Sequence, residues 1–256
     1  MQNCTVCYGK KWFAHIDRKT GLQRVHKDGR RIWKCYRCGN IQEESAPVIL
    51  PKIYRTTANI LYIDLEVSKS LIYNYGLKVP SKYINFDNLA QEYYIICWSA
   101  SYLNSDTVWS ECVTPAEARK WSDKRILKRL RDLMDSADII AGHNVDGYDI
   151  KRANTRFLLN GLPPVIGKKT HDTLKIARQK FAFESNRLDY ISQRLGFRAK
   201  DDITNDDWLK IVKTGDRATL AKVNKYCAGD VKNGKDIMQT LVKWSGKKDE
   251  FGAVTV

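Results

Sequence analysis

No apolar run in these 256 residues approaches the roughly 18 to 20 needed to span a bilayer. The opening segment, Met1-Gln-Asn-Cys-Thr-Val-Cys7, lacks the apolar h-region of a signal peptide. The expectation is a soluble, cytoplasmic protein with no membrane partner. Acidic residues are also in short supply, 29 Asp+Glu against 44 Lys+Arg, giving a formal net charge of +15 and a pI near 9.4. The shortage is sharpest at the front, where residues 1–58 hold 12 basic and 4 acidic residues. Such an excess points to a polyanionic partner, most often nucleic acid, because neutralising phosphates releases condensed counterions. A basic surface kept for solubility is the plainer alternative. With 43% apolar and 11% aromatic residues the chain can bury a core, which excludes wholesale disorder. Its length suits one mid-sized domain and a small accessory module.

A disulfide framework is missing too. The seven cysteines are an odd number, and four of them form two C-x-x-C pairs, Cys4-Thr-Val-Cys7 and Cys35-Tyr-Arg-Cys38. In a reducing compartment that usage points to metal. Four thiolates suit one tetrahedral Zn²⁺, a cheaper way to stabilise a small module than building a core. Residues 1–45 therefore read as a zinc ribbon, with strand-like runs at Trp12–Ile16 and Leu22–Val25 and turns at Lys19-Thr-Gly21 and Lys27-Asp-Gly29. The 27 residues between the knuckles exceed the commonest spacing, so His15 or His26 as a substitute ligand, or a disulfide, stay open. Trp12, Trp33 and Tyr36 either stack on bases or supply the module's small core. Residues 41–58 show no periodicity, and 46–58 read as a linker. Cys97, Cys112 and Cys227 are most simply packing residues.

The main domain spans 59–256. Asn59–Glu66 is an apolar strand ending in two acids, and period-2 geometry puts Asp64 and Glu66 on one face. Such a pair is either solvated or neutralised by a cation preferring hard oxygen ligands, Mg²⁺ or Mn²⁺. Strands follow at Tyr93–Ala100 and Thr107–Trp109, expected antiparallel to the first. Pro115 opens a helical region. From Lys124 to Met134, apolar residues recur at helical spacing opposite Lys124, Arg125, Lys128, Arg129 and Arg131, a face that reads as solvated rather than as a phosphate track. A buried strand at Ala137–Asn144 leads to a helix from Tyr148-Asp149 through Asn160. Strand–helix alternation can carry Asp149 towards Asp64 and Glu66, although Asp is also a common first-turn residue serving the helix dipole. His171-Asp172-Thr173 reads as a strand end and helix cap. Helices follow near Leu174–Phe183, Leu188–Leu195 and Arg217–Trp244, and in the last Tyr226 and Asp230 share a face.

The series Asp64-x-Glu66, His143-Asn144 with Tyr148-Asp149, and Tyr226-x-x-x-Asp230 resembles the three motifs of the DEDD exonuclease superfamily. The tyrosine marks the DEDDy branch found in DNA-polymerase proofreading domains; the DEDDh branch would want His where Lys225 stands, and none of the four histidines is near Asp230. Tyr73–Leu77, Cys97–Ala100, His171–Arg178 and Asn186–Ile191 are similar to stand-alone 3′–5′ exonucleases, many encoded by tailed phages, for which host cytoplasm is the compartment. Val67 stands where many relatives place Thr. The resemblance implies an α/β fold, a ribonuclease-H-like mixed sheet flanked by helices, and two-metal hydrolysis from the 3′ end. Asp64, Glu66 and Asp230 would hold one Mg²⁺ or Mn²⁺, Asp64 and Asp149 the other. Tyr226 would orient water, and Leu65, His143 and Asn144 would contact the terminal nucleotide. The expected substrate is single-stranded DNA with a free 3′ end, and a replication or recombination protein is a candidate partner. No residue here reads a 2′-hydroxyl, so RNA stays open, as does an idle nuclease platform whose ribbon binds nucleic acid.

Overall fold

A computed structural model describes residues 58–74, 85–197 and 203–245, together with Trp12–Ala14, Ile32–Cys35, Cys38 and Ile41–Glu43. It divides the chain into two units, Met1–Pro51 and Lys52–Val256. In the first, β1 (Trp12–Ala14), β2 (Ile32–Cys35) and β3 (Ile41–Glu43) form an antiparallel sheet in which Trp12 pairs with Cys35 and Lys34 with Ile41. β3 occupies part of the 41–58 stretch that shows no periodicity; three residues are too few to display one. Cys38 is exposed in a turn after β2. Cys4, Cys7, His15, His26, Tyr36 and the run Leu22–Val25 lie outside the described residues.

The second unit is organised by β4 (Ile60–Val67), whose residues from Ile60 to Ile63 are buried without interruption. A strand covered on both faces has no need of polar alternation. A small antiparallel pair, β5 (Leu71–Ile72) and β6 (Leu89–Gln91), projects from its far end. β7 (Ile95–Tyr102) returns antiparallel to β4 and continues by hairpin into β8 (Trp109–Cys112). The chain then runs through α1 (Pro115–Arg119) and α2 (Lys124–Ser136) into β9 (Ile139–Gly142), parallel to β4. Next, α3 (Asp149–Leu159) crosses over to β10 (Lys169–Asp172), parallel to β9. The sheet order is β10-β9-β4-β7-β8. After it come α4 (Thr173–Lys180), α5 (Leu188–Arg194), α6 (Asn205–Thr214) and the long α7 (Arg217–Leu241).

Strand alternation sorts the helices. Ile60 and Tyr62 cluster with Val231 and Met238 of α7, whereas Leu61, Ile63 and Leu65 pack with Leu127 and Leu130 of α2 and Ala153 and Phe157 of α3. Asp64 and Glu66 continue the Tyr62 face, so they belong to the α7 side. The approach of α7 is close: a Cβ on Gly234 would lie 2.2 Å from the Tyr62 hydroxyl, a contact only glycine permits. The three arginines on the basic face of α2 are in ion pairs, Arg125–Glu117 at 2.9 Å, Arg129–Glu111 at 3.4 Å and Arg131–Asp135 at 3.2 Å. Among the described residues no helix is long and apolar enough to cross a membrane.

Candidate functional site

β4 is paired with β9 only as far as Tyr62–Ala141, while β7 accompanies its other edge to Val67. Beyond Tyr62 the β9-side edge of β4 needs another partner. Asp149, the first residue of α3, provides it: its Oδ1 accepts from the Leu65 backbone N–H at 3.0 Å. A carboxylate is thereby fixed at the backbone link between Asp64 and Glu66. Leu65 itself has its side chain buried in the core on the opposite face.

From the α7 side, Asp230 completes an acidic group. Carboxylate oxygens of Asp64, Glu66 and Asp230 lie within 4.8 Å of one another. One contact ties the helix directly to the strand in this register. The Cys227 thiol donates to the Asp64 carbonyl at 3.3 Å, and burial pushes that thiol up to about 12, so it keeps its proton. Asp216 caps α7, accepting from the Thr219 N–H at 2.8 Å. Tyr226 lies one turn before Asp230 on the same helical face and is half-buried.

The electrostatics favour a cation. Burial pushes the Asp149 carboxyl well above the ordinary carboxylate range, and the nearby charge of Asp64 adds to the shift against the opposing Leu65 N–H. The assembled donors are carboxylate oxygens, which suit hard divalent ions such as Mg²⁺ or Mn²⁺ and not soft, thiolate-seeking ones. The residues therefore fit the kind of ion the sequence points to.

His143 and Asn144 serve the same strand ends in another way. Asn144 has φ +66°, a left-handed turn that Asn tolerates, and its N–H donates to Asp172 Oδ1 at 2.8 Å. The same Asp172 oxygen caps α4 by accepting from the Leu174 N–H at 2.9 Å. One buried carboxylate thus ties the β9 turn to the end of β10. The His143 ring lies 2.9 Å from the Thr173 hydroxyl through Nδ1 and 2.9 Å from the Asn186 carbonyl through Nε2. A carbonyl only accepts, so Nε2 carries a proton, and the Thr173 hydroxyl beside Nδ1 donates to the Gly142 carbonyl at 3.2 Å. Both nitrogens are committed to protein groups.

Tyr93, Tyr148 and Arg152 form an arrangement that sequence reading missed. The Arg152 guanidinium lies 4.1 Å from the centroid of the Tyr93 ring and 5.3 Å from that of Tyr148. The four-residue spacing of Tyr148 and Arg152 at a helix start was the available signal; Tyr93 offers none.

Two comparisons bear on this geometry. The family model described as RNase_H superfamily matches residues 61–242. The family B DNA polymerase from the hyperthermophilic archaeon Pyrobaculum calidifontis has a similar structure, with a TM-score of 0.54 and 15% identity over 72% of this chain and 24% of the polymerase. At that identity the likeness speaks for the fold alone, and the chain spans about a quarter of the polymerase. No curated protein matches the chain.

Proposed function

Because the chain belongs to the RNase_H superfamily, we propose that it is a metal-dependent 3′–5′ exonuclease of the DEDDy type, acting on single-stranded DNA. The observation that carries this reading is the gathering of Asp64, Glu66 and Asp230 oxygens within 4.8 Å, beside an Asp149 carboxylate bonded to Leu65. Asp64, Glu66 and Asp230 would hold one Mg²⁺ or Mn²⁺ and Asp64 with Asp149 a second. The chemistry supplied by such ions is a more acidic bound water and charge stabilisation on the phosphoryl oxygens. The protein's own share is positional. Asp149 fixes the acidic end of β4, and Cys227 fixes α7 against it. Tyr226 serves by orienting water through its hydroxyl, since a phenol is a poor candidate for an ionised base near neutral pH. His143 and Asn144 contribute by holding the turn after β9, since both His143 nitrogens are engaged. Leu65 contributes its backbone, since its side chain belongs to the core. In the first unit, Cys4, Cys7, Cys35 and Cys38 are proposed to share one structural Zn²⁺, to be checked by metal content per chain.

The test is a set of 5′-labelled DNA and RNA strands, single and double, with free or blocked 3′ ends, incubated with Mg²⁺ or Mn²⁺. Shortening of free-ended single-stranded DNA in one-nucleotide steps is expected. Internal cleavage, or indifference to a 3′ block, rejects the exonuclease reading, and faster loss of RNA reassigns the substrate.

A further inference from the structure

Arg152 differs in its partners from the arginine one turn further along the same helix. Arg156 is committed to Asp123, donating from Nε at 2.7 Å and from a terminal nitrogen at 2.8 Å. Arg152 is half-buried and makes, among the described residues, no ion pair and no side-chain hydrogen bond; its guanidinium lies against the rings of Tyr93 and Tyr148. Both rings are within the roughly 6 Å at which a cation over an aromatic face is stabilised. That stacking orients the guanidinium but uses none of its five N–H donors. A partly desolvated guanidinium with idle donors is a site for an external bidentate acceptor.

Its location says which acceptor. Arg152 is three residues after Asp149, a rise of about 4.5 Å along α3. Burial raises the Tyr148 phenol, Arg152 opposes that, and the charges of Glu66, Asp149 and Asp64 add to it, so the ring sits within electrostatic reach of the acidic cluster. Arg152 is thus beside the cluster without being paired to it. We propose that Arg152, steadied by Tyr93 and Tyr148, binds a non-scissile phosphate of the nucleic-acid strand and sets the strand's register against the carboxylates. This rests on the nuclease reading above. Arg152 is a substrate-binding residue on this assignment, and the two tyrosines are positioning residues.

The experiment compares the wild-type chain with Arg152→Gln and Arg152→Lys, on 5′-labelled single strands carrying one uncharged methylphosphonate linkage at successive positions from the 3′ end. Arg152→Gln should raise KM about tenfold or more with kcat little changed, the sign of lost uniform binding. Its metal-free binding should lose about 0.7 from the slope of log affinity against log salt, the share of one phosphate on a single strand. At one non-scissile position the neutral linkage should weaken wild-type binding yet add nothing to Arg152→Gln. Arg152→Lys should restore the salt slope but only part of KM, because a point charge does not replace a fork. Additive effects at every linkage, or an unchanged KM and slope, overturn the proposal. If Arg152→Gln does not fold, the wild-type and Arg152→Lys scans decide: insensitivity of wild type at every non-scissile linkage, or a sensitive position whose cost is the same in Arg152→Lys, overturns the proposal, and one sensitive position whose cost shrinks in Arg152→Lys sustains it. Absence of metal-dependent shortening by wild type would sink the nuclease reading instead, while the metal-free slopes still judge Arg152.

Discussion

Asp123 and Asp149 are both buried carboxylates, at 1% and 4% exposure, and the protein treats them in opposite ways. Asp123 is saturated from within: it accepts from the Ile95 N–H at 2.9 Å and takes both arms of Arg156. Asp149 accepts from the Leu65 backbone N–H, and the nearby charge that bears on it most is another acid, Asp64. Burying a carboxylate is costly unless its charge is matched. Where the chain brings its own counter-ion the acid is structural. Where it sets acids beside one another, as with Asp64, Glu66 and Asp230, a bound cation can share in the match, and that is a condition for function.

The contrast breaks if the two kinds of acid respond alike to removal. Asp64→Ala or Asp230→Ala should lower metal-dependent cleavage by at least about 10³-fold in kcat, the scale of several kcal/mol of lost charge stabilisation. Thermal melting without divalent ions should be unchanged or improved, since like charges are relieved. Asp123→Ala should do the reverse. Leaving Arg156 buried and unmatched should cost about 3–5 kcal/mol in urea unfolding, while kcat per folded molecule at low temperature stays near wild type. Gradual activity loss and equal destabilisation in all three variants would erase the distinction.

A smaller effect probes how α7 delivers Asp230. Gly234→Ala pushes a methyl into the Tyr62 ring and hydroxyl, 2.2 to 2.4 Å away, and should cost about 1–3 kcal/mol as overpacking. Tyr62→Leu in the same chain should recover part of that stability, because it removes the ring that the methyl meets. Recovery with Tyr62→Phe alone would show that only the hydroxyl matters, against the 2.3 Å approach to the ring carbon.

These features were unequally legible in the sequence. The apolar run of β4, the strand–helix order and the Tyr226–Asp230 spacing announce themselves because burial and helical period are local properties. The β5–β6 pair left no mark: its strands are two and three residues long and none of their residues is buried, so no alternation exists to read. Helix α6 was readable and was overlooked, since Thr204 and Asp207 form a capping box ahead of Trp208, Leu209 and Ile211. The site divides similarly. The acids can be named from motif order, but the hydrogen bond from Leu65 to Asp149 spans 84 residues and depends on where β9 stops pairing. The saturation of Asp123 by Arg156, 33 residues away, has no local signature either.

The same contrast applies to cations, and here the smallest effect is expected. Arg129 pairs with Glu111 at 3.4 Å on the surface of α2, its side chain about half exposed. Exposed pairs of this kind contribute little because water and salt already screen both partners. Arg129→Ala should therefore shift stability by no more than about 0.5 kcal/mol. It should also leave KM and the salt slope of strand binding unchanged, because that guanidinium already faces a carboxylate and has little to offer a phosphate. Binding assays of Arg129→Ala beside Arg152→Gln test whether an arginine's existing partner, rather than its charge alone, decides whether it serves the substrate. If Arg129→Ala weakened strand binding as much as Arg152→Gln, the basic face of α2 would be part of the nucleic-acid path, and prior commitment to a carboxylate would not separate structural cations from functional ones.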